Sequence, residues 1–149
     1  MAPSNKRREP TSRPLVRYAV HEDLDFVAQD GYLPAPTIAR KIESREVMVA
    51  ERDSVPVGYV RIEYFWSKLP YIALIRVLPA QQRQGVGRAL LRFLERELRG
   101  AGHSILLSSS QADEPEPLAW HRRMGFVDCG RLEGINAGGI DELFFRKDI

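Results

Sequence analysis

Residues 75–91 read Ile75-Arg-Val-Leu-Pro-Ala-Gln-Gln-Arg-Gln-Gly-Val-Gly-Arg-Ala-Leu-Leu91. An apolar run ends at Pro79, glycines follow at Gly85 and Gly87, and a helical repeat begins. Val86, Leu90, Leu91, Leu94 and Leu98 form one stripe, which predicts an amphipathic helix over residues 85–99 with Arg88, Arg92, Glu95 and Arg99 turned to water. Gly100 and Gly102 supply its stop. Before the loop, residues 71–78 (YIALIRVL) are apolar on both faces apart from Arg76, the pattern of a central strand covered on both sides. Strand, loop and glycine-opened helix together make an anion cradle. The first N–H groups of a helix have no partner within it, and the positive end of its dipole adds to their pull. Glycine lets a ligand approach the backbone closely, and Arg83 and Arg88 stand ready to neutralise phosphate. The glycine spacing is too short for the dinucleotide fingerprint, and no Gly-Lys-Ser/Thr follows as a P-loop requires.

Outward from this segment the pattern alternates between helical and extended periods. Residues 15–20 read as a short strand, and the acidic start of residues 21–27 suits the first turn of a helix. Gly31 and Pro34 interrupt, and residues 37–46 predict a second helix. Residues 47–51 and 55–65 form an antiparallel pair around a turn at Asp53-Ser54. Beyond the long helix, residues 105–108 read as a strand and 117–124 as a short helix with a proline-rich lead. Residues 126–132 and 140–146 close the chain as a hairpin around Asn136-Ala-Gly-Gly. The order β-α-α-β-β-β-α-β-α-β-β predicts an α/β (α+β) fold, a mixed, mostly antiparallel sheet flanked by helices.

With 149 residues the chain is one domain long, expected over residues 14–149 behind a flexible basic tail, residues 1–13. Its Lys6-Arg7-Arg8 cluster reads as a solvated run. The tail has no apolar stretch of the kind a signal peptide carries, and no run approaches a membrane span of about 18 residues, so a cytoplasmic protein without membrane contact is expected. A net charge of +2, spread along the chain, argues against nucleic acid as a partner. One cysteine, Cys129, excludes an internal disulfide and reads as a small buried hydrophobe. His21, His103 and His121 lack metal-ligand spacing, so no metal is expected.

The run Gln82-Arg-Gln-Gly-Val-Gly87, after Val77-Leu-Pro79, resembles the Gln/Arg-x-x-Gly-x-Gly/Ala signature of the GNAT superfamily of acetyl-CoA-dependent N-acetyltransferases. Val49-Ala-Glu51 and Val57-Gly58 are similar to that family's early antiparallel strands, and Ala119-Trp-His-Arg-Arg-Met-Gly-Phe126 to its late helix. The resemblance covers about residues 14–149 and implies acetyl-CoA as co-substrate, with no metal. It implies that Ile75, Arg76 and Val77 pair with pantetheine through their backbone. It also implies that residues Gln82, Arg83, Gln84, Gly85, Val86, Gly87 and Arg88 hold the pyrophosphate, with Val86 also a core candidate and Arg88 equally a solvated helix charge. The implied reaction is direct attack of a primary amine, on a small molecule or a peptide, on the thioester. A homodimer is left open.

That reaction needs a route for the amine proton, donors for the oxyanion and an acid for the thiolate. The family's acid is often a tyrosine four residues before Gly-Phe; here that position is His121, expected to be partly charged near neutrality and to act as acid or as a contact. Tyr59, Tyr64 and Tyr71 are the possible replacements. Residues 71–78 hold no carboxylate where many relatives carry one. Glu63, sharing a face with Tyr59 and Arg61 by period-two alternation, is the candidate base, with Glu142 a weaker one and a water-relayed path a third. The missing glutamate and tyrosine leave two alternatives: a non-catalytic acyl-CoA-binding module, or an acyltransferase with another donor or a protein-lysine acceptor. The residues bordering the acceptor, 30–42 and 66–68, carry no recognisable code.

Overall fold

The computed structural model describes residues 12–149; the basic cluster of the tail lies outside the described residues. Seven strands form one sheet in the order β1-β2-β3-β4-β5-β7-β6. They are β1 Leu15–Tyr18, β2 Val47–Arg52, β3 Val55–Phe65, β4 Leu69–Val77, β5 Ile105–Gln111, β6 Val127–Asn136 and β7 Ile140–Asp148. Every pairing is antiparallel except β4 with β5. The β2–β3 and β3–β4 turns each place two residues at positive φ (Asp53 and Ser54, Trp66 and Ser67), the geometry whose twist suits a tight hairpin.

Helices cover both faces. The short α1, Leu24–Val27, enters through a 3₁₀ turn at His21–Asp23, and with α2, Ala35–Glu43, it packs Val27, Ile38 and Ile42 on Val47, Val49 and Tyr59. The opposite face carries α3, Val86–Gly100, and α4, Pro115–Arg123. The α3 stripe Val86, Leu90, Leu91, Leu94 and Leu98 is buried against Met48, Val60, Ile62 and Ile72, as its spacing predicts. Burying each such side chain is worth about 1.5–3 kcal/mol, which is what holds a helix of fifteen residues to the sheet. Gly58 is what lets α3 start so close: a Cβ there would meet the Arg76 carbonyl at 2.8 Å and Val86 at 3.1 Å.

Three expectations change. Glu95 is not turned to water; it is buried and accepts from Lys147 Nζ at 2.5 Å, with Arg99 at 3.4 Å. Cys129 is exposed rather than buried, because β6 is the last strand of the sheet and no described element packs over it. The strand read as covered on both sides is open at its end: Arg76 is exposed, since α1 and α2 do not reach the end of β4.

Candidate active site

Parallel β4 and β5 share a single rung, Tyr71 opposite Leu107. One residue later β4 carries a bulge: Ile62 pairs with Ile72 and Arg61 with Leu74, leaving Ala73 extra. A bulge bends its strand and increases the local twist, so the second half of β4 turns away from β5. It also reverses the alternation, placing Ile75 and Val77 on the same face as Ile72. The gap opens into a cleft of about 800 Å³ between Ile75 and Val77, residues 82–88 and α4. That size suits a drug-sized or larger ligand, since such pockets span about 300–1,000 Å³. Of the predicted cofactor residues, Ile75, Val77, Gln82, Arg83, Gly85, Val86, Gly87 and Arg88 line it, whereas Arg76 and Gln84 do not. Arg76 lies opposite Tyr59 on the other face, and Val86 is at once wall and core.

The cradle is a shaped loop. Arg83 sits at φ 59° and Gly85, the residue that opens α3, at φ 82°, where a side chain other than glycine is strained. Gln84 shapes it by accepting from the buried Arg52 of β2 at 2.7 Å, while Gln81 accepts from the same guanidinium at 2.9 Å. Gln82 donates to the Val77 carbonyl at 3.2 Å. Arg52 lies 31 residues upstream of Arg83 and carried no signal in the sequence. Gly87 is roofed by Trp120, whose Nε1 lies 3.5 Å from where a Cβ would stand, so a side chain there meets ordinary contact rather than a clash. Arg83 faces Glu116 across the mouth at 3.8 Å, both side chains nearly fully exposed.

His121 lines the cleft where the motif register puts it, but its surroundings differ from those of a partly charged acid. The ring is buried, stacked on Phe145 at 4.5 Å between centroids. Nδ1 lies 2.7 Å from the Pro117 carbonyl, which only accepts, so that nitrogen carries the proton. Nε2 therefore accepts from the Ser108 hydroxyl at 2.7 Å. Burial pushes the pKa of His121 below its ordinary value, against the weaker pull of Pro117 and Glu142. In this state Nε2 has no proton to give a thiolate.

Glu63 is on the sheet's other face with Tyr59 and Arg61, as alternation predicts, and the register sets it directly opposite Tyr71. It is half exposed, 3.7 Å from Lys41, and stands outside the 800 Å³ cleft. Asp30 lies between α1 and α2 with its side chain fully buried; its carboxylate takes Arg61 at 2.5 and 3.1 Å and the Tyr59 hydroxyl at 2.6 Å. Desolvation alone would raise its pKa, but hydrogen bonds from Arg61, Tyr59 and the Tyr32 amide outweigh it and hold the carboxyl well below the usual range. Next to this network, Tyr71 lies 2.6 Å from Ser109 Oγ, which donates to Glu142 at 2.7 Å. Among the described residues no His, Cys, Asp or Glu cluster has the arrangement of a metal site, and no helix is long and apolar enough to cross a membrane.

The comparisons with known proteins agree with this geometry. Residues 14–126 match the model of the acetyltransferase (GNAT) family. The chain is 30% identical over 129 residues to N-alpha-acetyltransferase RimI of Mycobacterium tuberculosis, covering 83% of this chain and 79% of that one. The fold matches the ribosomal-protein-alanine N-acetyltransferase of Brucella melitensis with a TM-score of 0.78 at 25% identity, over 91% of this chain and 99% of that chain. It also matches yncA of Salmonella typhimurium, solved with acetyl-CoA, with a TM-score of 0.78 at 20% identity, over 92% and 94%. The parted strands, the glycine-opened helix and these matches place the chain in the acetyltransferase (GNAT) family, as an acetyl-CoA-dependent acyltransferase.

Proposed function

We propose that this enzyme moves the acetyl group of acetyl-CoA onto the α-amino group at the N-terminus of a peptide or protein. The observation that carries the reading is the parting of β4 and β5 after one rung. It opens the sheet, so that a thioester lying along β4 from the α3–α4 side meets an amine arriving from the α1–α2 side. Residues 82–88 hold the pyrophosphate on the free N–H groups that open α3, with Arg83 and Arg88 beside its charge. The edge of β4 freed at residues 75–77 pairs with pantetheine. His121 is a positioning residue here: held in orientation by the Pro117 carbonyl of its own helix, it ties α4, and with it Trp120, to Ser108 of β5. Glu63, on the α1–α2 side beside Tyr71, meets the incoming ammonium as its counter-charge.

An α-amine suits a site whose β4 bears no carboxylate. Its pKa, about 7.7–8.0, leaves a useful neutral fraction at pH 7, whereas a lysine near 10.4 is almost wholly protonated. A peptide is further supported by the open depression of about 350 Å³ bounded by Lys41, Glu46, Glu63, Tyr64 and Ser67, and by relatives whose names specify N-alpha and ribosomal-protein-alanine acetylation. The test is thiol release from acetyl-CoA over peptides with free N-termini, the same peptides blocked but bearing lysine, and small amines. Preference for free N-termini is expected; faster turnover of blocked lysine peptides or small amines overturns the reading.

A further inference from the structure

We propose that Tyr71, Ser109 and Glu142 form a proton wire that carries the acceptor's proton from the β4–β5 opening to β7, with Glu142 as its terminal acceptor. The inference rests on the function proposed above and adds the route that the carboxylate-free β4 leaves open. Tyr71 occupies the one rung that joins β4 to β5, at the point where the strands part. The three groups sit on adjacent strands of the sheet and on one face. Directions follow from chemistry. A carboxylate only accepts, so Ser109 donates to Glu142 Oε1 at 2.7 Å, and Tyr71 must then donate to Ser109 at 2.6 Å. Asn136 Nδ2 holds the second carboxylate oxygen at 2.8 Å. The Tyr71 oxygen keeps lone pairs to accept a proton, and every hydroxyl hydrogen already points toward Glu142.

The surroundings favour transfer over leakage. Phe65 stacks on Tyr71 at 4.9 Å between centroids and Phe144 at 6.1 Å, walling the phenol with apolar surface. Charged groups reach the wire from several elements: Glu63 on β3 opposite Tyr71, Lys41 of α2 bound to Glu63, and His121 of α4, which feels the charge of Glu142. Arg131 and Asp141, next to it, are committed to each other. Burial first, then the charges of Glu142 and Glu63, hold the Tyr71 phenol above its ordinary pKa, so it passes a proton while receiving another and does not ionise.

The step balances. An ammonium R–NH3⁺ gives one proton to Tyr71 Oη as Tyr71 passes its own to Ser109 and Ser109 passes its own to Glu142, which becomes a carboxylic acid. The free amine attacks the thioester carbon, the C–S bond breaks, and the second proton leaves the new amide nitrogen with the thiolate as coenzyme A thiol. Glu142 then returns its proton to solvent.

The test compares kcat/KM from pH 6 to 10 for the wild type, Glu142→Gln, Tyr71→Phe, Ser109→Ala and the Tyr71→Phe/Glu142→Gln pair, with a peptide acceptor. Coenzyme A affinity and thermal unfolding serve as controls for fold. Glu142→Gln should lower kcat/KM by about 10²-fold at pH 6–7, the lower end of lost acid–base catalysis. The loss should shrink as pH rises past the α-amine pKa of about 8, where the amine needs no base. Groups acting in series give a double variant little worse than either single one, and Glu142→Asp should recover part of the loss. A loss equal at every pH, multiplying single losses, or unchanged kcat/KM in Glu142→Gln overturns the wire. A pH-dependent loss in Glu63→Gln alone makes Glu63 the base and overturns it too. No turnover by the wild type sinks the functional reading itself, and so is distinguished from failure of the wire.

Discussion

On the α3–α4 side of the opening, one continuous segment, residues 75–88, supplies a strand edge, a shaped loop and a helix start. On the α1–α2 side the groups come one at a time: Asp30 from a loop, Arg61 and Glu63 from β3, Tyr71 from β4, Ser109 from β5 and Glu142 from β7. The first side works through backbone conformation, the second through side chains that bind one another. Backbone N–H groups and a glycine suit a ligand part common to every member of a family. A cross-strand web of side chains can be rebuilt position by position to suit a different acceptor.

The two sides should break differently. The largest effect is expected on the acceptor side from Asp30→Ala, which leaves the buried Arg61 guanidinium without its partner and should cost about 3–5 kcal/mol of stability. Because the folded-state pKa of Asp30 is depressed, its contribution is present above the unfolded carboxyl pKa of about 3.9 and is lost as pH falls further. Denaturant titration of both proteins at pH 7 and pH 3 checks this; equal differences at the two pH values would show that the carboxylate's charge is not what matters. On the cofactor side Gly85→Val should leave most of the stability intact yet lower coenzyme A affinity about tenfold or more, since forcing a β-branched residue to φ 82° costs about 1–3 kcal/mol and the loop relaxes out of its cradle shape. Calorimetric titration reads it, and wild-type affinity in folded protein would remove the loop from the site. Gly87→Val, with only Trp120 in ordinary contact, separates ligand crowding from loop strain.

The same contrast explains what was legible in the sequence. Residues 75–88 were readable because loop, glycines and helix stripe are consecutive, so motif and geometry coincide. Element order held throughout, with ends moved by a few residues: β5 runs to Gln111 because Ser109 and Gln111 are held by β7, not by their own propensity. The bulge at Ala73 was not readable, since nothing in YIALIRVL marks an extra residue, and it inverts which side chains face the cleft. Nothing in the sequence marked the roles of Arg52 and Asp30, because their partners are distant in sequence. Glu95 failed for the same reason: its helical position reads as solvent-facing until Lys147 is brought alongside.

His121 joins the two sides, packing in the cofactor wall while it senses Glu142, and its neutral state gives a smaller, directional effect. Burial lowers its folded-state pKa, so as pH falls below about 6.5 the unfolded chain takes up a proton that the folded one refuses, and stability drops. His121→Phe should remove that slope between pH 7 and 5. It should also cost about 1–3 kcal/mol, because Ser108 and the Pro117 carbonyl lose their partner. Urea midpoints against pH decide it. A loss of turnover approaching 10²–10⁴-fold, with an altered pH–rate profile, would instead restore the acid role.

The smallest effect is expected at the mouth of the cleft, where Arg83 and Glu116 face each other at 3.8 Å in nearly full solvent exposure. A pair so exposed holds little energy and is screened by salt, so it does not act as a latch. Its consequence lies with the ligand instead. Arg83 is one of the cations beside the proposed pyrophosphate site, and Glu116 competes with the phosphate for it while repelling that charge directly. Glu116→Gln removes both effects without changing side-chain length, and α4 begins with Pro115 in either case. Coenzyme A affinity should therefore rise, by about two- to fivefold at low salt and less near 0.5 M, where the screening length falls to about 4 Å. Dephospho-coenzyme A, which keeps the pyrophosphate, should show the same gain. A gain confined to the 3′-phosphorylated form would move the pyrophosphate away from Arg83 and toward Arg88.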